Sequence, residues 1–457
     1  MIPLRRNDFV ESVVLAPSAS ATPSPFARYG PPAGPRLAHS SACGSICFAI
    51  TSLLTESIRL RASTKTGPLP GSIQALKCFL LGGWVVALSL TGCRKADSLS
   101  AFPIPEISPG LGYTNMRVNS TPWSIHVVRI DRKVAELQLE SMHAEPGALG
   151  LSPLTQQIHQ IPPAQGRPVA AVNGDFYQRD RAYAGDPRGL QIVNGELRSG
   201  PSGGVAFFLD DTGSPRITQV TSRFQATLPD GSRHTFLLNA ERPAEGLSLF
   251  TPAAGVSTHS TGGREWVLER DHSGPVSLAA DEVVVARVIQ VRDSGDTPLR
   301  PGILVLSAGP VLAKRLPRLA VGDRVQISTE TAPSLRGVKT ALGGGPVLVR
   351  EGQAQRIRPA GKESYEFSSM LERHPRSAIG WNGEAYFLVT VDGRQPALSV
   401  GMTLDEFGSQ LARLGCIDAM NLDGGGSATL WCEGKIRNSP CDGQERPVAN
   451  GLVVLRK

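Results

Sequence analysis

From about Glu106 to the chain end the sequence predicts an α+β domain, β-rich with few helices, in which Gly-rich loops at strand ends form one cleft. Three observations predict it. Short β-branched runs bounded by Gly, Pro, Asn or Asp recur along the chain, only two stretches carry helical signals, and two runs of three consecutive glycines stand beside apolar strands.

Taken in order, Trp123-Ser-Ile-His-Val-Val-Arg-Ile130 alternates apolar with polar residues and predicts a strand, as does Ala135-Glu-Leu-Gln-Leu-Glu140. Val169-Ala-Ala-Val172, Gly204-Val-Ala-Phe-Phe-Leu209, Val283-Val-Val-Ala-Arg-Val-Ile289, Gly302-Ile-Leu-Val-Leu306 and Ala385-Tyr-Phe-Leu-Val-Thr390 add further strands. Residues 151–160 predict a short helix. A second is clearer: Thr403 caps it, Asp405 and Glu406 suit its first turn, Gly415 ends it, and Leu404, Phe407, Leu411 and Leu414 make one apolar stripe. The strand Ile417-Asp-Ala-Met-Asn-Leu422 follows at once, which puts Asp423 at the mouth of a turn, and Leu452-Val-Val-Leu455 closes the chain. No internal repeat or long linker divides residues 106–457, so one domain is expected there, with insertions between Asp210 and Thr258 and between Asp293 and Lys339.

Upstream the composition changes. Residues 1–75 are Pro, Ser, Ala and Arg with little periodicity; they bury too little apolar surface to offset chain entropy, and are expected to be disordered or a leader assigned in error. Residues 76–93 hold Lys77, an apolar run from Cys78 to Leu90, and then Leu90-Thr-Gly-Cys93. A basic start, a short apolar core and small residues before a cleavage point have the layout of an export signal. The run is shorter than the about 20 residues that a membrane span needs. Leu-Thr-Gly-Cys resembles the lipobox of bacterial lipoproteins, which implies diacylglycerol on Cys93 as the new N-terminus, a membrane partner through that anchor, and residues 94–105 as a tether. Arg94, rather than Asp, after that cysteine favours the outer membrane by the same resemblance, so the expected place is the cell envelope, facing the periplasm. An export signal belongs at a chain start, yet no Met lies between Met1 and Met116; initiation at a non-Met codon near Ile73 or Leu76 is therefore expected.

Removing residues 1–92 takes away eight basic and three acidic residues of the chain's 47 and 40, leaving 39 and 37. So even a balance gives no polyelectrolyte footprint, and no nucleic-acid partner is expected. Of seven cysteines, Cys43, Cys47 and Cys78 leave with the leader and Cys93 is lipidated. Cys432 and Cys441 bracket a turn-rich excursion whose ends can meet, so a disulfide between them is expected in an oxidising compartment, with Cys416 free. No second close cysteine pair and no nearby His support a zinc site, and neither a metal nor a cofactor is expected.

The segment Asn421-Leu-Asp-Gly-Gly-Gly-Ser-Ala-Thr-Leu430 is the most informative. Three glycines in a row read either as a tight hairpin turn or as bare N–H groups that an anion can approach closely. Asp423 before them and Ser427 after them put reactive groups at the rim and favour the second reading. Gly343-Gly-Gly-Pro346 reads as a bulge or turn, or as backbone packed about the same cavity. Asn173-Gly-Asp-Phe-Tyr177, directly after an apolar strand, is a turn signal, but its amide, carboxylate and rings also suit a sugar. Arg376, in His374-Pro-Arg-Ser-Ala-Ile-Gly380, is a surface loop residue or a planar fork for phosphate. Arg446 and Asn450 lie near the chain end, and Glu265 alone reads as a solvated strand residue. Neither His-Glu-x-x-His nor a Walker-type phosphate loop is present, so zincin and nucleotide-triphosphatase readings lack their signatures.

In that order, Asn-Gly-Asp-Phe-Tyr, Gly-Gly-Gly-Pro, His-Pro-Arg-Ser-Ala-Ile-Gly, Asn-Leu-Asp-Gly-Gly-Gly-Ser and Arg-Pro-Val-Ala-Asn-Gly-Leu resemble the phosphodiester glycosidase domain family. This is the family of N-acetylglucosamine-1-phosphodiester alpha-N-acetylglucosaminidase, the mannose 6-phosphate uncovering enzyme. The motifs span residues 173–452. The resemblance implies an α+β fold, cleavage of a sugar from a phosphodiester, and a sugar-phosphate diester or phosphorylated glycan as partner. It implies Asn173, Gly174, Arg376, Asp423, Gly424, Gly425, Gly426, Ser427, Arg446 and Asn450 as site positions. The family often carries Gly where Asp175 stands and Thr where Ser377 stands. Because a departing phosphate monoester is already a stable anion, anion stabilisation matters more than proton donation. Arg376, Arg446 and the N–H groups of Gly424, Gly425 and Gly426 would then hold phosphate, with Asp423, Glu265 or Asp175 as nucleophile or base. A non-catalytic envelope module that binds anionic glycans through the same residues is the alternative. N-terminal mass mapping of the cellular protein is expected to start at a modified Cys93, and peptides from residues 1–70 would refute initiation near Ile73 or Leu76.

Overall fold

The computed structural model describes residues 103–179, 183–270, 277–358 and 369–457, all within one compact unit of the chain, 94–457. The signal, the Cys93 anchor and most of the tether lie outside the described residues.

The domain is β-rich and mixed, built from three sheets. The first has eight strands with Trp123–Asp131, Ala385–Val391, Arg376–Trp381 and Asp418–Leu422 at its centre, in that order. The second has five: Lys435–Ile436, Leu430–Cys432, Arg167–Asn173, Asn450–Arg456 and Leu137–His143. Apolar side chains from both, among them Val128, Ile379, Leu388, Met420, Val172, Leu430 and Leu452, share one buried core. The central strands are antiparallel and buried along their whole length; Arg376–Trp381, for instance, has no exposed position. Alternation of apolar and polar residues is therefore absent from it, and the sequence reads there as a loop.

Two helices cover the outer faces. Helix α1, Leu154–His159, packs Leu154 and Ile158 against Ala171, Trp431 and Val453 of the five-stranded sheet. Helix α2, Leu404–Arg413, lays Leu404, Phe407 and Leu411 on Val127, Phe387 and Val389 of the eight-stranded sheet. Its start is a complete capping box: the Glu406 N–H donates to Thr403 Oγ1 at 3.1 Å and the Thr403 N–H to Glu406 Oε2 at 2.9 Å. Gly415 then takes φ +90°, the left-handed conformation that ends the helix.

The third sheet, of twelve strands, is drawn from residues 191–344 and folds over a core of its own around Trp266, Phe224 and Leu249. Both segments expected as insertions contribute strands to this sheet, including Pro215–Thr227 and Arg324–Ala332, which pair antiparallel. Its strand Thr340–Gly344 ends at the second Gly run and brings that run beside Asp175.

Cys432 and Cys441 do not form the expected disulfide; both are free, as is Cys416. The reason is directional. Cys432 sits in a strand with its side chain in the apolar core between two sheets, whereas Cys441 is only half-buried, its Sγ 3.5 Å from Asp442 Oδ1.

Phe407 is fully buried in the α2 interface. Phe407→Ala is expected to destabilise the fold by about 3–5 kcal/mol, against about 1 kcal/mol for Thr403→Ala; urea unfolding of both variants checks the ranking.

Candidate functional site

The site is organised by one buried amide. Asn173, at the end of the strand Arg167–Asn173, is fully buried and its side chain makes three hydrogen bonds. Its Nδ2 donates to the Asp423 carbonyl at 2.7 Å, and its Oδ1 accepts from Ser377 Oγ at 2.7 Å and from the Thr429 N–H at 3.0 Å. Strands from two sheets and the Gly-rich turn are thereby pinned together. Gly174 follows because of space: a Cβ there would lie 2.2 Å from Asn450 Oδ1. Its N–H donates to the Asn450 carbonyl and its carbonyl accepts from the Asp423 N–H, each at 2.9 Å. Asn450 Oδ1 accepts the Asp175 N–H at 2.8 Å, which leaves the buried Asn450 Nδ2 without a partner among the described residues.

Two carboxyl groups stand beside this hub. Asp175 is 4% exposed; it accepts from the Phe176 and Gly189 N–H groups, each at 2.8 Å. Burial pushes its pKa up to about 7, with the nearby Asp423 charge adding to the rise and Arg188 opposing it. The second Gly run makes room for it, since a Cβ on Gly343 would lie 2.3 Å from Asp175 Oδ2. Asp423 is raised too, by burial; Ser427, the Gly424 N–H, Arg446 and Arg179 pull it back. Ser427 is 1% exposed, and its Oγ lies close to Asp423 and Tyr177 without a hydrogen bond of ordinary geometry. Asp186 extends the acidic group: burial, then Asp175 and Glu241, push it up to about 7.

The Gly run lies against two guanidinium groups and a carbonyl. A Cβ on Gly424 would sit 2.6 Å from the Pro375 carbonyl, one on Gly425 3.2 Å from an Arg394 Nη, and one on Gly426 1.9 Å from Arg446 Nη2. Gly425 also needs its φ of +60°. The Gly424 N–H donates to Asp423 Oδ1 and the Gly425 N–H to the Pro375 carbonyl, both at 2.9 Å, so two of the three N–H groups expected to meet an anion are engaged inside the fold. Arg446 pairs with Asp442 through Nε at 3.0 Å and Nη2 at 2.6 Å, and lies near enough to lower the Asp423 pKa.

Two predicted residues stand elsewhere in function. Arg376 is 6% exposed and its donors go to backbone carbonyls: Nε to Met402 at 2.9 Å, Nη2 to Ser369 at 2.5 Å and Glu372 at 2.9 Å. These bonds tie residues 369–372 and Met402 to the start of the strand Arg376–Trp381. Glu265 is fully buried in the twelve-stranded sheet. It accepts from Ser260 Oγ and Ser307 Oγ at 2.7 Å and from the Thr297 N–H at 3.1 Å and hydroxyl at 2.5 Å. Burial alone would raise its pKa, but these bonds outweigh burial and hold it low. Its lone pairs are spent on protein donors, which suits a structural carboxylate rather than a base.

Residues that sequence reasoning did not single out also meet here. The Tyr177 hydroxyl donates to the Pro447 carbonyl at 2.8 Å, and His374 Nδ1 stands 3.4 Å from Arg394 Nη2. Residues 200–204, Gly-Pro-Ser-Gly-Gly, fit the bare Gly-x-Ser-x-Gly pattern of serine hydrolases. Ser202, however, opens the strand Ser202–Leu209 instead of the strand-to-helix turn that such a nucleophile requires.

Asp175 also makes stability depend on pH. Its folded pKa is raised, so its contribution is fully present below the unfolded value near 4 and is lost as pH rises through about 7. Urea unfolding is expected to show stability falling between about pH 4 and 7, by up to about 1.4 kcal/mol per pH unit for one proton. Asp186, also raised to about 7, adds a slope of the same sign, so Asp175→Asn is expected to reduce the slope without abolishing it; an unchanged slope would put the buried proton on another group.

Residues 281–455 match the family model described as phosphodiester glycosidase. Over 120 residues the chain is 33% identical to the SPbeta prophage-derived uncharacterized protein YomE of Bacillus subtilis, a stretch that covers 26% of this chain and 18% of that protein. A hypothetical protein from Synechocystis superimposes with a TM-score of 0.61 at 23% identity, over 78% of this chain and 64% of that one. An exported protein from Burkholderia pseudomallei does so with a TM-score of 0.57 at 22% identity, over 78% and 76%. These two likenesses establish a shared fold. The similarity to the phosphodiester glycosidase family thus lies in residues 281–455, which carry Gly343, Asp423, the glycines 424–426, Arg446 and Asn450.

Proposed function

We propose that this protein is a hydrolase that cleaves a sugar from a phosphodiester-linked glycoconjugate in the bacterial envelope, where the Leu90-Thr-Gly-Cys93 segment tethers it through lipid. The observation that carries the reading is the pair Asp175, buried, and Asp423, half-buried, whose charge acts on Asp175 and which stands beside Arg446 and the Gly run.

Like charges in one buried place do not ionise together, so the pair divides its work. Asp423 is the member that Arg446, Arg179 and Ser427 favour in the charged form, and it acts as nucleophile towards the anomeric carbon or as base for water. Asp175 stays protonated up to about pH 7 and keeps the local charge low enough for a phosphodiester to enter. Proton donation to the leaving group is less pressing than in ordinary glycoside hydrolysis, because phosphate departs as a stable anion. Arg446 supports that anion as charge develops. The unpartnered Asn450 Nδ2 and Ser427 Oγ are suited to sugar hydroxyls, which would complete their hydrogen bonding.

The purified protein, incubated with sugar-1-phosphate diesters, is expected to release free sugar. Asp423→Asn is expected to lower turnover by about 100- to 10,000-fold while circular dichroism and melting stay near wild type. Near-full hydrolysis by a folded Asp423→Asn protein would remove Asp423 from the mechanism. Saturable binding of a phosphorylated polysaccharide with no product, even at high protein concentration, would replace the enzyme with a glycan-binding module.

A further inference from the structure

We propose that Arg394 is the second guanidinium ligand of the substrate phosphate, facing Arg446 across the Gly run in the role that sequence alone gives to Arg376. The inference rests on the phosphodiester reading of this site and names which side chains grip the anion.

The hairpin that carries Arg394 is held more firmly than an exposed turn requires. Asp392 is 1% exposed; its Oδ1 accepts the Ser439 N–H at 2.7 Å, its Oδ2 lies 2.8 Å from His126 Nε2, and its carbonyl accepts Ser399 Oγ at 2.6 Å. His126 Nδ1 is in turn 2.9 Å from the Tyr113 hydroxyl. Gln395 and Ser439 exchange two further bonds, Gln395 Nε2 to the Ser439 carbonyl at 2.8 Å and Ser439 Oγ to Gln395 Oε1 at 2.9 Å. The hairpin is thus clamped to the segment that leads on through Asp442 to Arg446. Both guanidinium groups ride on one braced unit.

Arg394 itself takes φ +57°, a left-handed conformation unfavourable for a side chain of its kind. That backbone places its guanidinium against Gly425, 3.2–3.4 Å from where a Cβ would be, while Arg446 lies over Gly426. Its described hydrogen bond is the long contact with His374 at 3.4 Å, so most of its five donors remain available to a ligand. Arg376, by contrast, gives its Nε and Nη2 to three backbone carbonyls. Arg394, with donors open, and Arg446, braced by Asp442, lie against the adjacent glycines 425 and 426 with the buried Ser427 nearby, an arrangement suited to a tetrahedral oxyanion. Any side chain at Gly426 would close the gap on the Arg446 side.

The test measures binding and turnover separately. Inorganic phosphate is titrated into wild type, Arg394→Ala and Arg394→Lys by calorimetry, and the same proteins are assayed with a sugar-1-phosphate diester. Arg394→Ala is expected to weaken phosphate binding and to lower kcat/KM by about 10- to 100-fold, with partial recovery in Arg394→Lys. Melting should be unchanged, since the side chain is exposed; if the alanine variant does not fold, the lysine variant alone decides by the same two readings. Wild-type hydrolysis with phosphate affinity and KM unaltered in Arg394→Ala would overturn the assignment and leave the hydrolase reading standing. Phosphate affinity lost in Arg394→Ala, with no diester cleaved by wild type, would keep the anion site and end the hydrolase reading. A wild-type protein that neither binds phosphate nor cleaves diesters would end both.

Discussion

The interaction on which the site depends is the threefold hydrogen bonding of the Asn173 side chain. One amide with no solvent contact joins the end of a strand in the five-stranded sheet to Ser377 in the eight-stranded sheet and to both sides of the Gly turn. A network of this kind is worth having only when complete, because each buried group left without its partner costs about 1–3 kcal/mol. The two sheets would still be drawn together by Val172, Leu430, Leu422 and Ile379 in the core they share. What the apolar core does not specify is the register of the loops at the strand ends, and that register decides whether Asp423 stands beside Asp175.

Glycine serves here chiefly as absent volume. Gly174 yields to an amide, Gly343 to a carboxylate, Gly424 to a carbonyl and Gly426 to a guanidinium. Only Gly425 in the first Gly run depends on positive φ. Polar groups thereby approach the backbone at distances that a methyl group would forbid, and the low-dielectric packing that results is what raises the Asp175 and Asp423 pKa values. The twelve-stranded sheet contributes to this through Gly343, which makes room for Asp175, and Gly189, just before the sheet's strand Gln191–Val193, donates to the same carboxyl.

Hydrogen-bond saturation separates the charged groups that brace the fold from those able to act. Arg376 gives its Nε and Nη2 to carbonyls, and Glu265 is a buried ion that accepts from hydroxyls and an N–H, a condition under which a buried charge is stabilised. Arg394 and the Asp423 pair are less fully occupied. In type these residues are alike; the difference lies in what surrounds them.

Much of the architecture was legible from residue order. Period-two alternation marked Trp123–Asp131, the capping residues and apolar stripe marked the helix Leu404–Arg413, and the ordered Gly-rich motifs marked the similarity that the family model finds over residues 281–455, because each of these signals is local and arises from backbone geometry. Strands buried on both faces, such as Arg376–Trp381, carried no such signal. Which arginine faces the Gly run, whether Glu265 is free to take a proton, and whether Cys432 can reach Cys441 were decided only in three dimensions. Each depends on side-chain direction and on partners far away in the chain, as when Asn173 meets Ser377 and Thr429, and no spacing along the sequence encodes these.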